Sequence, residues 1–252
     1  MSNEQPMSSS SNAPPGAGTG SAPLSVYVWD LPVRLFHWLL VLSIVALFVT
    51  GKLGGNWMEW HKLVGFFTLG LVVFRILWGL VGSETARFAS FVRGPGAVIG
   101  YLRSSFGASH SAAPTKLAQL GHNPLGALSV VALLTVVLFQ AVSGLFADDD
   151  ILMRGPYANA VSGAISAQFT KLHKLNSDLI LVLVGLHLAA IAFYFFFKKD
   201  NLVKPMLNGH KQVDAPLAAD GIASKQPAPW LAWALAIGVG VLTYLVVTRA
   251  FG

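Results

Sequence analysis

Seven histidines and no cysteine stand in this chain of 252 residues. Four of the seven, His37, His61, His173 and His187, fall within or at the mouths of long apolar runs, where an ionisable side chain is costly and usually functional. A neutral imidazole binds metals and can pass protons. His173 and His187 are 14 residues apart; that step is about 21 Å of helical rise and falls about 40° short of four full turns. Both rings therefore face the same side of one helix. The lack of cysteine excludes disulfides, thiolate zinc sites, iron-sulfur clusters and the Cys-x-x-Cys-His attachment of c-type haem.

The elements that must position these residues are membrane helices. Hydrophobic residues make up 54% of the chain and charged residues 11%, against about 25% charged in an ordinary soluble domain. A bilayer core needs about 20 apolar residues in a helix, and the runs 33–50, 60–81, 125–146, 172–197 and 229–247 meet or approach that length. The first, second and fourth carry these histidines. The fifth carries none and follows a polar segment, 201–228, so it reads as an addition to a four-helix core. Arg34, near the start of the first span, is expected to snorkel. Residues 1–24 are rich in Ser, Pro, Gly and Ala and are expected to be a disordered tail. They lack the basic start and apolar core of a signal peptide, so the first span is expected to act as its own insertion signal.

Orientation follows from basic residues in the loops, because Lys and Arg are retained on the cytoplasmic side. Arg87, Arg93, Arg103 and Lys116 lie between spans two and three, and Lys198, Lys199, Lys204, Lys211 and Lys225 follow span four. Both segments are expected in the cytoplasm, which puts the amino terminus there and the carboxyl terminus outside. Only Lys52 lies between spans one and two, and Arg154 stands against Asp148, Asp149 and Asp150 between spans three and four. Those loops are expected outside, although Lys62, Lys171 and Lys174 flank outward ends. The net charge of +6 is then topological and meets anionic headgroups; nucleic acid is not an expected partner.

On this topology the histidines form two stacked levels, His61 with His173 near the outer surface and His37 with His187 nearer the cytoplasm. Each level offers two imidazoles from different helices. That suits a haem iron, which takes axial ligands on opposite faces of the planar ring and with both positions filled moves electrons rather than binding oxygen. A lone membrane histidine more often makes a helix contact or relays protons; four at this spacing favour ligation. His122, in GHNPLG, could cap the third span or bind a propionate. Arg75, about 9 Å of rise inside span two, could snorkel or neutralise a propionate. His110 and His210 lie in polar segments and are expected to have no cofactor role. Trp29, Trp38, Trp57, Trp60 and Trp78 read as an interfacial belt. Gly65, Gly70, Gly79, Gly126, Gly144 and Gly185 read as helix-packing positions, or as places where a macrocycle approaches closely.

The ordered motifs VWDLPVRLFHW, WMEWHK, RILWGLVGS, GHNPLGAL, DDDILMRGP and KLHKLNSDLILVLVGLHL resemble the bacterial cytochrome b561 and nickel-iron-hydrogenase b-type cytochrome family, over about residues 26–211. The resemblance implies an all-α integral membrane four-helix di-haem bundle. It implies two haem b ligated by His37, His61, His173 and His187; Arg75 and His122 are expected from their positions as further cofactor contacts. It also implies partners: the quinone pool, and a redox protein such as a c-type cytochrome or a dehydrogenase subunit, in the respiratory chain of a bacterial inner membrane. The expected organisation is a tail over 1–24, the four-helix domain over 25–211, a linker over 212–228 and an additional transmembrane helix within 229–252. Tail and fifth span lie outside the resemblance, and no residue set identifies a hydrogenase partner. Asp148, Asp149 and Asp150 could steer a basic cytochrome c or form a solvated loop. Two rival readings use the same chain: a proton-coupled transporter or metal permease working through the histidines, and a non-catalytic membrane anchor for a redox partner.

Overall fold

The computed structural model describes residues 24–106, 122–149, 153–213 and 227–249. Its long helices are α1 (Leu31–Leu53), α2 (Trp57–Val81), α5 (Pro124–Phe146), α6 (Gly163–Phe196) and α8 (Pro229–Arg249). Shorter helices are α3 (Phe88–Phe91), α4 (Pro95–Phe106) and α7 (Val203–Asn208); a 3-10 turn over Ala158–Ala160 and two strands, β1 (Leu24–Tyr27) and β2 (His210–Val213), complete the described elements. The five long helices are apolar and long enough to cross a membrane. The expected tail up to residue 23, His110, Lys116, Asp150, Lys225 and most of the expected linker lie outside the described residues.

Local chemistry sets the ends of the spans. Asp30 caps α1, its carboxylate accepting from the Val33 amide at 2.8 Å, with Pro32 in the first turn. Asn123 caps α5 in the same way, accepting from the Gly126 amide at 2.7 Å. The cap of that helix is therefore Asn123 and not His122, because an Asn carbonyl oxygen reaches the first-turn donors that a ring nitrogen further back does not. Gly54 and Gly55, at φ of 64° and 53°, adopt the left-handed backbone that glycine accepts without strain. They fold α2 back beside α1 in a three-residue turn. Helix α6 has 34 residues, about 51 Å of rise against a hydrocarbon core of about 30 Å. It begins nine residues before the expected span, capped by Ser162.

The spans pair as antiparallel neighbours: α1 with α2, and α5 with α6, while α2 also lies against α5 and α8 against α2. Helix α6 has no comparable backbone approach to α1 or α2. Phe36, Val72, Leu134, Val137 and Ile180, contributed by α1, α2, α5 and α6, form an apolar cluster inside the bundle.

The bundle has two ends. At the turn end lie the α1–α2 turn and the segment joining α5 to α6. At the strand end, β1 pairs antiparallel with β2, Tyr27 opposite His210. The amides of Val28 and Trp29 donate to the Gly209 carbonyl at 2.8 and 3.2 Å. Arg34 does not snorkel freely: its guanidinium donates to the Leu207 carbonyl at 2.6 Å. Two tryptophans expected in an interfacial belt are instead buried at this end. Trp78 is 2% exposed, and its indole N–H donates to Asp30 at 2.9 Å; Trp29 joins Val28, Val33 and Ala86 in a small core. Ser83 donates to the same Asp30 carboxylate at 2.6 Å. One buried aspartate thus fixes the start of α1 against the end of α2, with its charge satisfied by hydrogen bonds. The base of α8 packs on that core through Leu231, Ala232 and Leu235, and its far end accepts from the Tyr157 hydroxyl at the Val246 carbonyl, 2.7 Å away.

Candidate functional site

Two histidines from different helices come together at the turn end. The His61 and His173 ring centroids are 6.3 Å apart, with the ring planes at 73°. Nδ1 of His61 lies 3.0 Å from the Leu47 carbonyl of α1, and Nδ1 of His173 lies 3.0 Å from the Gln140 carbonyl of α5. A carbonyl oxygen only accepts, so each Nδ1 carries the proton and each Nε2 keeps its lone pair in the neutral ring.

The two supports repeat one another. The Thr50 hydroxyl donates to the Ala46 carbonyl at 2.7 Å and lies 3.3 Å from His61 Nδ1; the Ser143 hydroxyl donates to Gln140 at 3.0 Å and lies 3.1 Å from His173 Nδ1. A Cβ on Gly51 would stand 3.2 Å from the His61 ring, and one on Gly144 would stand 3.0 Å from the His173 ring. Each imidazole therefore lies against a glycine that leaves space for it. Asn176, one turn beyond His173, ties α6 to α5 by donating to the Val136 carbonyl at 2.9 Å and to the Gln140 side chain at 2.7 Å.

His37 of α1 and His187 of α6 stand toward the strand end, without the ring-to-ring contact that His61 and His173 make. His37 Nδ1 is buried without a hydrogen-bond partner. Beside them, His122 packs between Trp29 and Phe91, at centroid distances of 4.7 and 4.5 Å. Burial, then the charges of Arg75 and His187, push the His122 imidazole down to about 3, so the ring is neutral near pH 7. Its Nδ1 is also buried and unpartnered. Arg75 does not snorkel: it is 3% exposed, donates to the Ala86 carbonyl at 3.1 Å and lies over Phe88, 5.0 Å from the ring centroid. Its Nη1 is buried with no partner. Two unpartnered polar nitrogens in one buried cluster, one of them cationic, form a place suited to an anionic group.

The residues present fit haem b. With a metal–imidazole bond of about 2 Å on each side and each ring centre about 1 Å further out, two axial imidazoles sit with centroids about 6 Å apart. The His61–His173 pair is at that separation. A porphyrin supplies four of the iron's six donors and needs two from the protein. Among the described residues no group of three or more His, Cys, Asp or Glu is placed to hold a bare metal ion.

The remaining sequence candidates have structural uses. His210 donates from Nδ1 to the Asn208 carbonyl at 2.9 Å and packs on Tyr27. Asp148 is ion-paired with Arg154 at 2.6 Å, and Asp149 accepts from the Met153 amide at 2.8 Å, so these two carboxylates close a turn. Sequence reasoning missed Thr50, Gly51 and Ser143. A signal was present: Val49-Thr50-Gly51 and Val142-Ser143-Gly144 share a pattern, and the next helix after each brings a His-Lys pair, His61-Lys62 and His173-Lys174.

A family model described as prokaryotic cytochrome b561 matches residues 28–209. A relative from Azotobacter chroococcum mcd 1, described as "Probable Ni/Fe-hydrogenase B-type cytochrome subunit", is 26% identical over 214 residues, covering 73% of this chain and 88% of the relative. "Probable Ni/Fe-hydrogenase 1 B-type cytochrome subunit" of Escherichia coli (strain K12) is 24% identical over 222 residues, covering 75% and 91%. No solved structure matches.

Proposed function

The chain belongs to the prokaryotic cytochrome b561 family, membrane electron-transfer proteins of the b type, and from that premise we propose that it holds two haem b at the two ends of its bundle and carries electrons through the bilayer. The observation that carries this reading is the His61–His173 pair, 6.3 Å apart, with each Nδ1 held by a carbonyl of the neighbouring helix. Haem b, when bound, supplies an iron that accepts and releases one electron without a proton-bearing intermediate. His61 and His173 are the ligands at the turn end, and His37 and His187 those at the strand end. Arg75 and His122 serve the strand-end haem by offering their unpartnered nitrogens to a propionate, which gives two buried polar groups a reason to be there. Val72, Leu134, Val137 and Ile180 of the apolar cluster stand between the two levels along their helices.

The strand end is the cytoplasmic one on this reading, because Arg87, Arg93, Arg103, Lys198, Lys199, Lys204 and Lys211 all belong to segments there, as retention of basic residues requires. Relatives described as hydrogenase cytochrome subunits support a redox enzyme as one electron partner, with the quinone pool of a bacterial inner membrane as the other. Neither paired aspartate at the turn end favours a docking patch for a c-type cytochrome. A pyridine haemochrome assay on purified protein, read with low-temperature electron paramagnetic resonance, tests the proposal. The expected result is two haems b per chain with low-spin ferric signals only. A colourless protein would turn the histidines over to proton or metal transport, and a dominant high-spin signal would mean an open axial position.

A further inference from the structure

We infer that Thr50 and Ser143 are positioning residues for the turn-end ligands, setting the tautomer and basicity of His61 and His173 and with them the reduction potential of the iron between them. This rests on the reading above, in which those two imidazoles are axial ligands. Each hydroxyl has its own proton committed, Thr50 to the Ala46 carbonyl at 2.7 Å and Ser143 to the Gln140 carbonyl at 3.0 Å. What each oxygen presents to the imidazole 3.3 or 3.1 Å away is a lone pair. Nδ1–H therefore faces two acceptors on each ring, the hydroxyl oxygen and a helix carbonyl at 3.0 Å. Two acceptors on Nδ1–H hold the proton on that nitrogen, keep Nε2 as the ligand and draw the ring toward imidazolate character, which strengthens its bond to ferric iron. Gly51 and Gly144, with no Cβ to meet rings 3.2 and 3.0 Å away, let the rings reach these acceptors. That the same three-part support occurs twice, on α1 for His61 and on α5 for His173, separates it from a chance helix contact.

At the strand end nothing comparable exists among the described residues: His37 Nδ1 is buried and unpartnered. The hydroxyls thus act at one level only, which makes their effect separable.

The test is potentiometric titration of the full-length protein, with g-values recorded by electron paramagnetic resonance, for Thr50→Val, Ser143→Ala and the double variant. Removing an acceptor weakens ferric stabilisation. The expected result is a shift of the turn-end haem toward the reduced form by about tenfold per hydroxyl in the reduction equilibrium, or about 59 mV for a one-electron couple, with the strand-end haem unmoved. Thr50→Ser and Ser143→Thr keep the hydroxyl and should restore the parent potential and g-values, which a purely steric role would not produce. Ser143→Ala removes one oxygen and stands alone if Thr50→Val fails to insert. Two haems whose potentials and g-values are unchanged in the variants, or both of which shift together, would overturn the inference while leaving the two-haem reading intact. A parent protein without a turn-end haem would overturn the reading first.

Discussion

The two ends of the bundle hold their histidines in different ways. At the turn end each ring has a carbonyl acceptor at 3.0 Å, a hydroxyl beside it and a glycine beneath it. At the strand end His37 Nδ1 is buried with no acceptor, and the polar groups nearby, Arg75 and His122, have unused nitrogens of their own. The turn-end pair is organised by the protein alone. At the strand end, buried ring and guanidinium nitrogens are left without partners. On the two-haem proposal, a propionate of the strand-end haem would meet those nitrogens.

The largest expected effect that would sharpen this contrast comes from the glycines. A Cβ at Gly144 would already stand 3.0 Å from His173, so Gly144→Val should push the ring off its acceptors and abolish the turn-end haem. Haem content would fall from two per chain to one, and the spectrum of the remaining haem would be that of the strand end. Gly51→Val should do the same through His61. Retention of both haems in correctly inserted Gly144→Val protein would show that the glycine contact does not support the ligand.

A smaller effect is expected at the strand end. Arg75 is a buried cation with Nη1 unpartnered, and Arg75→Gln removes its charge while keeping a donor. Loss of a positive charge beside the proposed strand-end haem favours the ferric form, so the strand-end potential should fall, by about 1–2 kcal/mol for a charge screened as near a protein surface. The turn-end haem should not move. Equal shifts of both haems, or none, in a redox titration of this variant would remove Arg75 from the strand-end site.

Much of the fold was legible in the sequence because membrane spans announce themselves as apolar runs. All five long helices lie where such runs stand, with ends displaced by a few residues. The exception is the start of α6, where Gln168, Thr170 and Lys171 ended the apolar run although the helix continues back to Gly163. The β1–β2 pairing was not legible, since LSVY and HKQV lie far apart in the chain and neither alternates strongly. The burial of Trp29 and Trp78 was also hidden: an indole beside a membrane border looks interfacial until a partner such as Asp30 is found for its N–H. At the candidate site the positions of the histidines along their spans could be read directly. Which carbonyl each Nδ1 meets could not, because every helix offers a carbonyl at each residue and only the crossing of α1 with α2, and of α5 with α6, selects Leu47 and Gln140. The Val-Thr-Gly and Val-Ser-Gly pattern was visible, and its meaning came from the two rings lying on it.

The central claim is that His61 with His173 and His37 with His187 form two independent haem sites. Redox titration of the His61→Ala and His187→Ala proteins tests it most directly. The two levels share no ligand and stand about 21 Å of helical rise apart on α6, so each variant should keep one haem. The haem surviving in His187→Ala should have the turn-end potential, and the one surviving in His61→Ala the different potential of the strand end. The same surviving haem in both proteins would contradict the two-level assignment and make His122 the first alternative ligand to examine.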